Sequence, residues 1–207
     1  MTKTACDMPL PDSIPPALAA LAGRPRLAYP WTDVADGIPL LGYGSLMNAA
    51  SAAQTLAPSR TRPVITFGVR RVFEYDMGDM AQSRYGEAPG ALTRAALNVR
   101  FTGVAADAVN GVLFDVPAAD VPALRLREID YDLQPVVCLP WEEWAAPPFV
   151  AYVLSCPPTS SRVNARLLPQ SRYAQTCRDG AASVSPTFLA AYLASTYLAD
   201  GVTRWSA

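Results

Sequence analysis

Histidine is absent from the 207 residues of the chain. Without an imidazole to take a proton, neither a Ser-His-Asp nor a Cys-His nucleophile can be assembled within it, and zinc sites that include histidine are excluded as well. Cysteine is sparse. Cys6, Cys138, Cys156 and Cys177 show no Cys-x-x-Cys spacing, which argues against a redox pair or a four-thiolate zinc site, so they read as free thiols, mostly buried, of a reducing compartment. Charge is scarce too: charged residues make up 17% of the chain, and 17 Lys and Arg against 18 Asp and Glu leave a net charge of −1. That balance lacks the basic surface that nucleic acid or an anionic membrane would require. No apolar run approaches the roughly 18 residues of a membrane span, and Ala17 to Ala22 is too short for a secretory leader. The expectation is a cytoplasmic protein whose partner is small or neutral.

What is present is a hydrophobic content of 51%, enough for a sizeable core in a chain of this length. Residues 1–37 carry Pro9, Pro11, Pro15, Pro16, Pro25 and Pro30 and read as a proline-rich N-terminal extension, with a helix near Pro16 to Ala22 and Tyr29 and Trp31 as anchors. Residues 38–207 form the domain.

That domain is organised around Ile38 to Met47, an apolar run that stops at Gly42 and Gly44 before a helical pattern of Leu46, Ala49, Ala53 and Leu56 that Pro58 ends. The pattern predicts a strand, a tight turn made with positive φ at the glycines, and a helix starting at the turn. Backbone N–H groups at such a junction point at a ligand and suit an anion or a developing oxyanion. One strand is expected over Pro63 to Tyr75 with a bulge or bend at Gly68, and Met77 to Gly90 reads as a polar loop. Two more strands, Ala91 to Phe101 and Gly111 to Val116, flank a hairpin loop. Asp120 is placed to cap a short helix with Pro122 in its first turn. Val121, Leu124 and Glu128 then share one face, an odd place for a carboxylate. Strands at Pro135 to Leu139 and Phe149 to Leu154 and helical pieces over Gln170 to Leu198, with Phe188, Ala191, Tyr192 and Ser195 on one face, complete an α+β domain whose sheet closes partly into a barrel.

Four stretches in this order resemble the gamma-glutamyl cyclotransferase superfamily, including its ChaC-like and gamma-glutamylamine branches: Leu41-Gly42-Tyr43-Gly44-Ser45-Leu46, Phe67 to Phe73, Asn110 to Val116, and Leu124 to Tyr131. Tyr152 in a strand and Tyr173 before a helix also look like the family's C-terminal half, so the resemblance covers about residues 38–200. It implies a small mixed β-barrel with flanking helices. The loop of Tyr43, Gly44, Ser45 and Leu46 would hold the α-carboxylate and α-amine end of a γ-glutamyl group, and the family glutamate would be Glu128. It further implies an intramolecular reaction in which the substrate's α-amine attacks its own γ-carbonyl and releases 5-oxoproline and an amine, with no cofactor, metal or covalent enzyme intermediate.

The chemistry of the residues agrees. Cyclisation needs one group to take a proton from the attacking ammonium and return it to the leaving amine, and burial suits a carboxylate to that task by raising its pKa. Glu128 has a plainer reading as well, an ion pair with Arg125 or Arg127 on a solvated helix. Ser45 lacks the second glycine of a nucleophile elbow and reads as a cap or ligand donor. Tyr43, Tyr131, Tyr152 and Tyr173 are the aromatic candidates for the pocket, or else core residues with hydroxyls at the surface. Glu87 is a second carboxylate, for specificity or merely solvated. Selectivity is expected in the loops Met77 to Gly90 and Trp141 to Pro148. The alternative to an enzyme is a non-catalytic module that keeps the same fold and binds a small γ-glutamyl ligand.

Overall fold

The computed structural model describes residues 37–57, 60–143 and 145–206. The expected helix near Pro16 to Ala22, the anchors Tyr29 and Trp31, Cys6 and the helix stop at Pro58 lie outside the described residues.

Five strands close into a barrel: β1 (Ile38–Gly42), β2 (Thr61–Phe67), β5 (Ala108–Val116), β6 (Asp132–Pro140) and β7 (Phe149–Ser155), in the order β1-β5-β2-β6-β7. Neighbours are antiparallel except β1 and β7, which run parallel with Leu40 beside Tyr152 and close the ring. Apolar residues recur along these strands, and Leu40, Leu41, Val64, Leu113, Leu133, Ala151 and Val153 are fully or almost fully buried, which removes their surface from water and provides the main drive for closure. The mixed barrel with flanking helices is the architecture the sequence resemblance implies.

A second sheet, in the order β4-β3-β8, stands against it, made of β3 (Val69–Asp76), β4 (Ala95–Phe101) and β8 (Thr196–Tyr197). The strand expected over Pro63 to Tyr75 is thus two strands in two sheets. Gly68 separates them at φ +76, a left-handed conformation that glycine adopts without steric penalty, and the true irregularity of β3 is the register shift between Phe73 and Tyr75. Likewise β4 and β5 do not form a hairpin, because one belongs to each sheet. The Arg70 guanidinium grips Asp107 in the connection at 2.7 Å and fixes that crossover.

The polar segment Met77 to Gly90 is not all loop. It contains α2 (Asp79–Tyr85), preceded by Asp76, whose Oδ1 accepts the Gly78 N–H at 2.8 Å, and ended by Gly86. The helix expected to begin at the central glycine turn is also interrupted. A single 3-10 turn (Ser45–Met47) comes first; Asn48 is then extended and its side chain accepts the Ser51 N–H to start α1 (Ala49–Ala52). The cause is tertiary: Gly180 of α4 (Ser171–Ala182) lies so close that a Cβ there would be 2.6 Å from Asn48 N and 2.7 Å from the Met47 carbonyl carbon.

α3 (Val121–Arg127) has Pro122 in its first turn as predicted, but Asp120 does not cap it with its side chain. Asp120 Oδ2 instead accepts the Ala57 N–H at 2.7 Å. In α5 (Pro186–Ala194) Phe188 and Tyr192 are buried on the predicted face, Phe188 edge-on to Trp141 at 5.1 Å between ring centroids.

Candidate functional site

Where β1 ends, residues Gly42 to Leu46 form one wall of a cleft, faced by Leu97 of β4, Leu154 of β7, Tyr173 of α4, and Glu128 and Tyr131 from the segment after α3. Gly42 and Gly44 do not use positive φ, contrary to the sequence expectation; Gly44 has φ −125. What they contribute is space. A Cβ on Gly44 would come 2.8 Å from the Tyr173 hydroxyl, and one on Gly42 would come 3.0 Å from both Leu46 Cβ and the Phe114 ring. The first backbone bonds of the turn run from Met47 N–H to Gly44 C=O at 3.0 Å and from Asn48 N–H to Ser45 C=O at 3.1 Å. The N–H groups of Gly44, Ser45 and Leu46 stand ahead of them, where a helical turn has no internal acceptor to offer.

Three tyrosines frame the cleft through backbone contacts. Tyr43 donates its hydroxyl to Leu154 C=O at 2.7 Å, and Tyr131 donates to Leu97 C=O at 2.8 Å. The Tyr173 oxygen accepts the Leu97 N–H at 3.3 Å, so Tyr131 and Tyr173 together hold both polar groups of residue 97. Burial raises all three phenols well above their ordinary 10, which keeps them neutral across physiological pH.

Glu128 follows the last turn of α3 as its C-terminal cap, with φ −111 and ψ 42. The Val121 and Leu124 face below it is buried as predicted. The Glu128 side chain is 17% exposed and its Oε1 accepts from Arg127 Nε at 3.1 Å, with Arg127 itself 13% exposed. The ion pair of the plainer reading therefore exists, with Arg127 rather than the exposed Arg125, but it is half-buried rather than on a solvated face. Burial raises the Glu128 carboxyl above its ordinary 4.5, against the opposing pull of Arg127 and, less strongly, Arg84. The same Arg127 donates through Nη2 to Ser45 Oγ at 3.1 Å and Ser51 Oγ at 3.0 Å, and through Nη1 to Ser51 C=O at 2.7 Å and Thr55 Oγ1 at 3.2 Å.

No family model matches the chain, and no curated protein matches it. Solved structures do. A gamma-glutamyl cyclotransferase superposes with a TM-score of 0.54 at 10% identity over 76% of this chain and 86% of that one. A gamma-glutamyl cyclotransferase specific to glutathione, from yeast, gives 0.50 at 15% identity over 77% and 95%, and an uncharacterized protein from Homo sapiens gives 0.57 at 12% over 76% and 86%. The chain has the gamma-glutamyl cyclotransferase fold. At these identities the likeness is one of architecture.

Within that cyclotransferase fold the structure brings Tyr43, Gly44, Ser45, Leu46, Glu128, Tyr131 and Tyr173 to one cleft. Tyr152 is not brought there. It is half-buried in β7 beside Leu40 of β1 and Pro135 of β6. Glu87 is outside the cleft also: its carboxylate accepts from Thr93 Oγ1 at 2.7 Å and Gln170 Nε2 at 2.9 Å, and Gln170 in turn accepts the Tyr173 N–H at 2.7 Å. Arg127 is the residue that sequence reasoning undervalued, seen only as a neighbour for Glu128. Its reach to residues more than 70 positions earlier leaves no trace in local spacing. Leu97 and Leu154 were missed because they act through backbone groups, which have no residue signature.

Among the described residues no group of three or more His, Cys, Asp or Glu is placed to hold a metal ion, and no helix is long and apolar enough to cross a membrane. Cys138, Cys156 and Cys177 are free and buried, and burial pushes the Cys138 and Cys177 thiols up to about 12.

Proposed function

We propose that the protein is a gamma-glutamyl cyclotransferase-like enzyme that releases 5-oxoproline from a γ-glutamyl amide, with Glu128 as the general acid and base. The observation that carries this reading is that the half-buried Glu128 carboxyl and the Gly42 to Leu46 turn line one cleft, the N–H groups of Gly44, Ser45 and Leu46 having no backbone acceptor among the described residues. Glu128 takes a proton from the substrate's α-ammonium, and the freed amine attacks the γ-carbonyl carbon. The carbonyl oxygen gains negative charge and meets the N–H groups of Gly44 to Leu46. Glu128 then returns the proton to the amide nitrogen as its bond to carbon breaks, takes the second proton from the ring nitrogen and passes it to the departing amine, so the amine leaves as its ammonium ion and the neutral five-membered lactam remains. The glutamyl end lies along Tyr43, Ser45 and Tyr131, and Tyr173 closes the cleft. Folding the substrate so that its amine meets its carbonyl is an orientation problem, which a shaped site solves without a cofactor.

The test is 5-oxoproline release from a panel of γ-glutamyl amino acids, glutathione and γ-glutamylamines, with Glu128→Gln in parallel. Turnover by the wild type, lost by about 10²–10⁴-fold in the nearly isosteric variant, is the expected result. An active Gln variant would remove Glu128 from the role. Thermal stabilisation by these ligands with no product from any of them would favour a binding module instead.

A further inference from the structure

A second cavity adjoins the cleft and shares Ser45, Glu128, Tyr131 and Tyr173 with it. Its far side is built by Tyr75, Met77, Met80, Arg84 and Tyr85, four of them from α2 and the residues leading into it. Glu128 therefore stands between two spaces, one under the glycine turn and one under α2. If the glutamyl end occupies the first, the group attached to its γ-carbonyl extends into the second.

The two cations of that second space differ in what they have left to offer. Every nitrogen of Arg127 is already bonded to Ser45, Ser51, Thr55 or Glu128. Arg84 has a single hydrogen bond among the described residues, from Nη2 to the neutral Gln54 Oε1 at 2.7 Å, and its guanidinium carbon lies 5.9 Å from the Tyr85 ring centroid. No carboxylate among the described residues pairs with it, whereas Arg70, Arg94, Arg100, Arg127 and Arg162 each have one. Its field nevertheless reaches Glu128, whose carboxyl it pulls downward. Arg84 is exposed at the rim of the cavity that Glu128 also lines, and a guanidinium with most of its donors bonded to no protein group among the described residues matches a planar anion. The rest of the wall is thioether and phenyl surface, with Met77 and Tyr75 buried, which suits an adaptable apolar contact.

Resting on the cyclotransferase reading, we propose that α2 is the specificity element of the site, Arg84 reading a carboxylate on the departing amine while Met77, Met80 and Tyr85 receive its apolar side chain. The departing group is then an amine whose neighbouring carbon bears both a carboxylate and an apolar side chain, and amines that lack the carboxylate or carry a second positive charge are disfavoured. The rigid placement of α2 serves this. Asp76, just before it, holds the Gly78 N–H at 2.8 Å and is gripped by Arg94 through two bonds of 2.7 and 2.9 Å.

The experiment compares kcat/KM for γ-glutamyl-leucine and γ-glutamyl-isoamylamine, which differ by the carboxylate alone, in the wild type, Arg84→Gln and Arg84→Glu. Because the ratio is taken within one protein, a folding defect in a variant cancels. The expected result is a preference for the leucine compound of about tenfold or more in the wild type, a ratio near one in Arg84→Gln, and a shift in Arg84→Glu toward the cationic γ-glutamylputrescine. Equal kcat/KM for the two compounds in the wild type, or a ratio unchanged by Arg84→Gln, would overturn the proposal and leave the cyclotransferase reading standing. Turnover of other γ-glutamyl compounds but of neither of these two would likewise overturn this proposal alone, whereas absence of 5-oxoproline from the whole panel in the wild type would remove the cyclotransferase reading and this one with it.

Discussion

Arg127 donates to Glu128 at 3.1 Å and, with the other nitrogens of the same guanidinium, holds Ser45, Ser51 and Thr55. One side chain thus ties the carboxylate to the glycine turn across the cleft and sets both the position of Glu128 and its readiness to lose a proton. Burial and Arg127 act on that proton in opposite directions, and burial wins.

The first consequence is a pH dependence. The carboxylate form of Glu128 is the base, so kcat/KM should rise with pH along a limb centred above the ordinary glutamate value of 4.5. Stability runs the other way. Because the folded state holds this proton more tightly than the unfolded chain, the contribution is full below 4.5 and is lost as pH rises through the folded value. Glu128→Gln should therefore gain in melting temperature relative to the wild type at pH 8, with the difference narrowing at pH 4. A pH–rate profile and paired thermal melts check both signs; a limb at or below 4.5 would contradict the burial argument.

Removing Arg127 separates its two roles. Arg127→Met should cost about 3 kcal/mol in urea unfolding, the order for breaking a protected pair, and should move the acid limb of kcat/KM to higher pH, because the residue that lowers the Glu128 pKa is gone. Arg127→Lys keeps the charge but not the fork. It should recover most of the pH shift and little of the stability, a split that a purely structural residue would not produce.

Gly180→Ala tests the contact that breaks the helix after the turn. In an exposed helix the change would gain about 1 kcal/mol from propensity, but here the new Cβ meets backbone at 2.6 and 2.7 Å, and overpacking of this kind costs about 1–3 kcal/mol. A net loss in the urea midpoint is expected, together with a raised KM, since Met47 and Asn48 carry the turn that begins at Gly44.

Arg71 carries the junction of the two sheets. It is fully buried in β3 with no carboxylate partner among the described residues, and its guanidinium donates to Asn110 C=O and, at 3.3 and 3.2 Å, to Tyr192 C=O and Thr196 Oγ1, 4.2 Å above the Tyr192 ring centroid. Burial lowers its pKa to about 10, which leaves it charged at neutral pH. Arg71→Ala leaves those acceptors unsatisfied in the interior, and a loss of about 3–5 kcal/mol is expected in equilibrium unfolding. A change below 1 kcal/mol would show that water replaces the guanidinium without cost.

The amino-acid sequence by itself marked most of the strand segments, because β-branched and aromatic runs such as Val64 to Phe67 and Val112 to Val116 have few other ways to bury their side chains, but it indicated one strand where there are two around Gly68 and helix where Thr196 and Tyr197 form β8. It determined the exclusion of imidazole chemistry, and it marked the Gly42 to Leu46 turn and Glu128 through a resemblance whose barrel the structure contains. Local rules went astray where a distant contact outweighed them. The helical spacing after Leu46 is real, but Gly180 lies against its backbone; Asp120 is an ordinary cap residue, but Ala57 takes its carboxylate; Gly68 was legible as a bend and not as the boundary between two sheets. Only the tertiary structure decided that Arg127 joins Glu128 to Ser45, that Tyr131 and Tyr173 hold Leu97 while Tyr152 stays in the barrel wall, and that α2 brings Arg84 to the same space. Side-chain spacing records periodicity within one element, whereas a cleft is made by residues that share no element and meet only when the sheets close.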